Sequence, residues 1–199
     1  PVIRGQKIHI CKILRTKHDI FSIMDYLEPQ YILDLLHYKL GYKIYSFLKY
    51  NNHSNIIIYG PTNCGKSILI KAIMKEIYPG QLIKQKNEDF IFSLHKDYYL
   101  FNCSCIYDKT SFIKYLQNII QTYDYYNNKC KYIILDQFER TNDIMQNILK
   151  VIIEKAYSTC KFIIITKQYN RVISAIKSRS IGIRTPSPTK YDKFLSKYY

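Results

Sequence analysis

Apolar positions along this chain fall into short unbroken runs separated by stretches with helical spacing. Asn55-Ile56-Ile57-Ile58-Tyr59, Asp97-Tyr98-Tyr99-Leu100-Phe101-Asn102, Lys131-Tyr132-Ile133-Ile134-Leu135-Asp136 and Lys161-Phe162-Ile163-Ile164-Ile165-Thr166 are rich in β-branched and aromatic residues and have no polar face. Runs of this kind predict strands buried on both sides, as in a parallel sheet covered by helices. Between them the period changes. Pro29 to about Lys49 carries a stripe of Ile32, Leu33, Leu36, Leu40, Ile44, Phe47 and Leu48, with Gly41 placed to divide it into two helices. Ile68 to Tyr78 is helical and stops at Pro79-Gly80, and Thr110 to about Tyr126 gathers Phe112, Ile113, Leu116, Ile119 and Ile120 on one face. A further helix runs from about Thr141, a capping residue type, to Tyr157, and a short one from Asn170 to Lys177 leads into a small strand, Ile181 to Arg184. Leu82-Ile83 and Phe90-Ile91-Phe92, split by the polar Lys84 to Asp89, predict a hairpin inserted ahead of the second core strand. Strands alternating with helices give an α/β fold, a parallel sheet with right-handed crossovers. The expected organisation is an arm over residues 1–28, where Lys7 to Leu14 alternates like an extended segment, a core over 29–188, and a tail over 189–199.

The first buried run leads directly into Gly60-Pro61-Thr62-Asn63-Cys64-Gly65-Lys66-Ser67, which fits G-x-x-x-x-G-K-[ST] with a strand before it and a helix after it. That order builds a phosphate cradle, because loop N–H groups and a helix N-terminus face the nucleotide oxygens with no bulky side chain in the way. Lys66 would reach the β/γ phosphates and the Ser67 hydroxyl would ligate Mg²⁺, so the expected cofactors are ATP and Mg²⁺. Asp136 closes an apolar strand and would arrive beside Ser67 and the metal at the carboxyl ends of the strands.

Composition adds a partner. The 30 Lys and Arg against 15 Asp and Glu leave a formal charge of +15, which suits a polyanion, most simply nucleic acid. Lysine enrichment from an AT-rich genome, with the lysines merely solvated, explains the same count. Lys109 and Lys114 on a predicted helix are the candidate backbone contacts. The six cysteines include no C-x-x-C pair and read as reduced thiols of an intracellular protein. No segment approaches 18 uninterrupted apolar residues, so no membrane partner is expected.

Ser158 to Ile165, then Arg171-Val172-Ile173-Ser174-Ala175-Ile176-Lys177-Ser178-Arg179-Ser180, then Arg184-Thr185-Pro186-Ser187-Pro188 resembles the sensor-1 strand, S-R-C box and R-x-P-x-P exit of clamp-loader AAA+ subunits. Asn102-Cys103-Ser104 sits where that family has N-x-S, and the likeness runs from about Leu33 to Pro188. It is strongest to the small subunits of replication factor C that carry an insertion after the P-loop helix and a degenerate Walker B sequence, here Asp136-Gln137-Phe138-Glu139. The resemblance implies an AAA+ P-loop NTPase working in DNA replication and repair, in the nucleus or a viral replication compartment. Its partners would be other clamp-loader subunits in a hetero-oligomer, a sliding clamp and primer–template DNA. It also implies that Arg179 serves as an arginine finger for a neighbouring subunit's nucleotide.

Departures from the family pattern modify those expectations. Gln137 stands where most members have an acidic residue, and a neutral amide positions a water without accepting its proton; Glu139, two residues on, is the other candidate base. Lys167 or Gln168 replaces the sensor-1 Asn, the K-Y-R-P box is not evident, and only eleven residues follow Pro188, too few for a helical lid and collar. The chain is therefore expected to hold ATP longer than it hydrolyses it, leaving open whether it is an enzyme. Two rival readings are another P-loop DNA-dependent ATPase, such as a viral helicase or packaging motor, and a non-catalytic nucleotide-binding adaptor. Steady-state ATPase of the isolated chain separates the former, and stimulation of partner subunits by Arg179 separates the latter.

Overall fold

A strand whose every side chain is apolar has to be covered on both faces, and four of the strands here obey that requirement together. The computed structural model describes residues 37–50, 54–122 and 130–187. Its helices are α1 (Tyr38–Tyr50), α2 (Lys66–Ile77), α3 (Lys109–Gln121), α4 (Asp143–Lys155) and α5 (Ser174–Lys177). Its strands are β1 (Asn55–Tyr59), β2 (Ile83–Lys86), β3 (Phe90–Leu94), β4 (Tyr98–Ile106), β5 (Lys131–Asp136), β6 (Cys160–Thr166) and β7 (Ser180–Arg184). They form one seven-stranded sheet in the order β2-β3-β4-β5-β6-β1-β7. The pairs from β4 through β7 are parallel, and the hairpin β2-β3 adds antiparallel to β4.

Alternation within the unbroken runs sorts the core into two layers. Ile57, Ile133, Leu135, Phe162 and Ile164 face the side packed with Phe112 and Leu116 of α3, Leu149 and Ile153 of α4, and Ile176 of α5. Ile56, Ile58, Tyr132, Ile134, Ile163 and Ile165 face the other side, where Ile44 and Leu48 of α1 and Leu69, Ile70 and Ile73 of α2 close over them. Both layers are needed because each strand carries apolar groups on both faces. The inserted hairpin lies at the sheet's margin, and β2 is exposed along its whole length with Lys84 and Lys86 in its sequence. Charged edge residues discourage pairing with another chain.

Several boundaries differ from the sequence expectation for local reasons. Helix α1 runs unbroken through Gly41, whose N–H is held by the His37 carbonyl at 2.8 Å. Burial of Gly41 against the core outweighs the roughly 1 kcal/mol glycine propensity penalty. Helix α4 is capped by Asn142, whose side chain accepts from Met145 N at 3.1 Å; Thr141 instead turns its hydroxyl to the Phe138 carbonyl at 2.7 Å. Asp108 caps α3 by accepting from Thr110 N and Ser111 N, which starts that helix at Lys109, and it ends at Gln121. Strand β4 continues past Asn102 to Ile106, and β7 starts at Ser180. The Asn170–Lys177 helix divides into a 3₁₀ turn at Tyr169–Arg171 and the short α5. The expected Lys7–Leu14 strand, the Pro29–Leu36 part of the first helix, residues 123–126 of the third and the 189–199 tail lie outside the described residues.

One close approach ties the end of β1 to the segment after β7. A Cβ placed on Gly60 would stand 2.2 Å from the Thr185 carbonyl oxygen, while Thr185 N donates to the Tyr59 carbonyl at 2.7 Å. Gly60→Ala should therefore destabilise the domain by about 1–3 kcal/mol through overpacking. Urea unfolding should show a lower midpoint at unchanged slope, and a wild-type midpoint would contradict this account.

Candidate nucleotide-binding site

The loop between β1 and α2 is shaped by two left-handed residues, Asn63 at φ 58° and Gly65 at φ 80°. Gly65 is the N-cap of α2 and no side chain caps that end, so the first N–H groups of the helix are available to an anion. A Cβ on Gly65 would meet nothing within 4 Å, which marks open space in front of the helix N-terminus. Cys64 is buried beneath the loop and its thiol donates to the Pro61 carbonyl at 3.0 Å, while Pro61, Thr62 and Asn63 are exposed along the rim. The Lys66 ammonium folds onto this loop, donating to the Gly60 carbonyl at 2.9 Å and the Pro61 carbonyl at 2.5 Å and lying 3.4 Å from Cys64 Sγ.

Parallel register delivers the second half of the site. Asp136 ends β5 opposite Asn102 of β4, and its carboxylate is hydrogen-bonded by the Ser67 hydroxyl and, at 2.8 Å, by the Gln137 N–H. Burial raises the Asp136 pKa above the ordinary carboxylate value; the Ser67 and Gln137 hydrogen bonds and nearby Lys71 pull it back, and Glu139 adds to the rise. A carboxylate and a hydroxyl are the hard oxygen donors that Mg²⁺ takes, so the residues present fit a nucleotide–Mg²⁺ complex. Asn102 is tied to its own strand, its Oδ1 accepting from Ser104 N at 3.0 Å and Ser104 Oγ at 2.8 Å.

Gln137 occupies a left-handed backbone conformation at φ 54° and ψ 43°, which turns the chain sharply from β5 into a 3₁₀ turn, Phe138–Arg140. That turn buries Glu139 and aims it at the end of β6. Its Oε2 accepts from Thr166 Oγ1 at 3.1 Å and from Lys167 N at 3.2 Å, and the Lys167 ammonium lies 3.8 Å from Oε1. Both carboxylate oxygens are thus engaged by the last residue of β6 and the residue after it, and the Glu139 carbonyl accepts from Arg171 Nη1 at 3.4 Å.

Arg179 lies elsewhere. It immediately precedes β7, whose Ser180 pairs with Asn55 at the start of β1, whereas the phosphate loop leaves the other end of that strand. Lys109 and Lys114 are exposed on α3. Sequence reasoning passed over three residues that connect these parts. Gln146 of α4 is buried, donates to the Arg171 carbonyl at 3.0 Å and accepts from Ile173 N at 3.0 Å, fixing the segment ahead of α5. Its signal was an amide on the same helical face as the apolar Met145 and Leu149. Thr166 was absorbed into an otherwise apolar strand. Asn55 bridges β1 to both neighbours, accepting from Phe162 N at 2.9 Å and donating to the Arg179 carbonyl at 3.2 Å.

Sheet order, phosphate loop and acidic strand end define the class: an α/β P-loop NTPase fold of AAA+ type. The family model described as DNA polymerase III, delta subunit, matches residues 45–188, and the chain belongs to that family. Among curated proteins it is similar to a probable replication factor C subunit 3 of Dictyostelium discoideum, 24% identical over 181 residues, which covers 81% of this chain and 52% of that protein. Replication factor C subunit 3 of Homo sapiens is 25% identical over 155 residues, covering 69% and 44%, and that of Schizosaccharomyces pombe is 28% identical over 145 residues, covering 72% and 39%. The chain spans about half or less of the length of these curated relatives. A solved DNA polymerase III gamma subunit-related protein from Thermotoga maritima shares the fold at TM-score 0.53 and 12% identity, covering 79% of this chain and 49% of that one. No helix among the described residues is long and apolar enough to cross a membrane.

The raised Asp136 pKa has a consequence for stability. A carboxyl whose folded pKa lies above its unfolded value stabilises the protein when protonated and loses that contribution as pH rises through the folded value. In EDTA, Asp136→Asn should therefore raise the melting temperature at pH 7 by the equivalent of about 0.5–2 kcal/mol, the gain shrinking toward acid as the wild-type carboxyl protonates. The same substitution should abolish the Mg²⁺ dependence of ATP binding. Differential scanning calorimetry showing a lower melting temperature at pH 7 would contradict the assignment of burial as the dominant influence.

Proposed function

We propose that this chain is the ATP–Mg²⁺-binding core of a clamp-loader subunit, working with other subunits in a hetero-oligomer to place a sliding clamp on primer–template DNA. The observation that carries this reading is the separation of Arg179 from the chain's own phosphate loop. Arg179 adjoins the start of β1 and Gly60 follows its end, so the two lie about 16 Å apart along the strand at ~3.3 Å per residue. A guanidinium so placed is poorly situated for its own nucleotide and well situated to meet a neighbour's. Family membership and the similarity to replication factor C subunits point the same way. The eukaryotic sources of those relatives favour a nuclear site of action over a viral replication compartment.

The division of labour follows from the chemistry of each group. Loop amides and Lys66 hold the phosphates, and Ser67 with Asp136 holds the metal. Bound ATP supplies the phosphoanhydride that is hydrolysed. Gln137 would orient a water but cannot take its proton, and Glu139 is committed to Thr166 and Lys167, so on this reading the chain turns its own ATP over slowly. Lys167 brings a cation to the sensor-1 position beside the end of β1. Arg179 stabilises charge on the transferred phosphoryl group of the adjoining subunit. Lys109 and Lys114 contact the DNA backbone without reading sequence.

The complex purified through a tag on this chain tests the reading. Lys66→Ala should weaken this chain's ATP affinity about 10- to 100-fold by calorimetry. Arg179→Ala should leave that affinity intact while lowering DNA-stimulated ATPase of the complex by about 10³–10⁵-fold at the site it serves. Unchanged ATPase in Arg179→Ala would refute the action in trans.

Affinity for DNA should fall steeply with salt and depend little on sequence. Each of Lys109→Ala and Lys114→Ala should reduce the slope of log K against log salt by about 1. A fluorescence-anisotropy titration with a flat salt response would remove the nucleic-acid reading.

A further inference from the structure

The Arg179 guanidinium is held by its own chain. Nη2 lies 2.6 Å from Oε1 of Glu154 near the end of α4, and Nη1 donates to the Ala175 carbonyl at 2.7 Å and to Ser178 Oγ at 3.3 Å. The backbone is fixed as well, since Arg179 N donates to the Ile176 carbonyl at 3.2 Å and the Arg179 carbonyl accepts from Asn55 Nδ2 at 3.2 Å. The Nε–H donor has no partner among the described residues. Both side chains of the ion pair are 40% exposed, so the pair contributes little to stability. What it does is orient the group.

We infer that Glu154 is a positioning residue for Arg179, holding the guanidinium plane at the domain's edge so that its remaining N–H groups meet the terminal phosphate of a nucleoside triphosphate on an adjoining subunit. The inference rests on the proposed action of Arg179 in trans. A free arginine side chain carries rotamer entropy that it would lose on engaging a phosphate. Contacts from Glu154 and Ala175 remove that freedom beforehand, which is how a fixed donor accelerates a reaction rather than merely binding its ligand. Because a guanidinium has five N–H donors, the contacts to Glu154, Ala175 and Ser178 leave donors for an incoming oxyanion. A screened, exposed carboxylate leaves the guanidinium's charge available to a phosphate.

The test uses the complex isolated through a tag on the full chain, with ATP and primer–template DNA, and compares Glu154→Ala, Glu154→Gln, Arg179→Ala and the double variant Glu154→Ala/Arg179→Ala. Glu154→Ala should lower kcat about tenfold, a fraction of what a missing finger costs, with KM for ATP and the melting temperature unchanged. Glu154→Gln should recover most of the rate, because its amide oxygen still accepts from the guanidinium. The double variant should be no slower than Arg179→Ala alone. Three results would overturn the positioning role while leaving the action in trans intact: a kcat within twofold of wild type in Glu154→Ala, a kcat above it, or the same proportional loss in the Arg179→Ala background. Arg179→Ala without effect on kcat would overturn both.

Discussion

A strand covered on both faces can satisfy its backbone groups only through its neighbours, and β1 is held in place by that constraint. Ile56, Ile57 and Ile58 are fully buried, and the strand is paired in parallel with β6 on one side and β7 on the other. Unpaired N–H or C=O groups there would cost the full desolvation penalty, so the register is strongly determined. Register then places the chemistry: Tyr59 stands level with Thr166 and Arg184, and Asn102 level with Asp136. The phosphate loop, the acidic strand end and the Thr166–Lys167 end of β6 share one rim of the sheet because parallel strands share one direction. At the opposite rim Asn55 supplies the side-chain contacts that pairing alone leaves out, binding Phe162 N and the Arg179 carbonyl together.

Glu139 illustrates how a buried charge can organise such a rim. A carboxylate out of water is costly unless its oxygens are engaged, and here a hydroxyl, a backbone N–H and an ammonium from two consecutive residues surround it. The ends of β5 and β6 are coupled by that contact. Gln146 extends the coupling, because its amide satisfies both the Arg171 carbonyl and the Ile173 N–H in the stretch that leads to α5 and Arg179. A continuous chain of polar contacts therefore joins the turn after Asp136 to the segment that carries the guanidinium. Glu139, Thr166 and Gln146 are buried, which makes a partly satisfied arrangement there expensive.

Most of the fold was legible in the sequence because its strongest signals are local. Four unbroken apolar runs became the four central strands, the polar stretch before Phe90 became part of an edge hairpin, and the glycine loop lies between strand and helix as its spacing required. Where the reading slipped, a contact beyond the local pattern decided the outcome. Asn142 rather than Thr141 caps α4, since the Thr141 hydroxyl is drawn to the Phe138 carbonyl by the 3₁₀ turn before it. Gly41 does not break α1 because it is itself buried, together with Ile44 and Leu48 of the same helix. The site divided the same way. Loop and acidic strand end follow from spacing, but the direction of Glu139 depends on a left-handed Gln137, and the pairing of Glu154 with Arg179 joins α4 to the turn between α5 and β7. Neither conformation nor distant pairing is written in periodicity.

A parallel sheet has two unlike ends, and this chain equips both. The carboxyl end carries loop amides, a lysine, a hydroxyl and a carboxylate suited to polyphosphate and metal, while the amino end presents an oriented guanidinium with donors to spare. Cation and phosphate cradle attract each other, yet the length of β1 keeps them apart within one molecule. Rigid strands do not shorten, so on the proposed reading complementarity of that kind would be satisfied between molecules, with the amino end of one sheet set against the carboxyl end of the next. Such a head-to-tail contact is heterologous, and it closes into a ring or continues as a helix according to the rotation between neighbours. On the proposed reading, the slow site formed by Gln137 and the oriented Arg179 are two consequences of one arrangement: the chain retains its own nucleotide and spends its catalytic group on the subunit beside it.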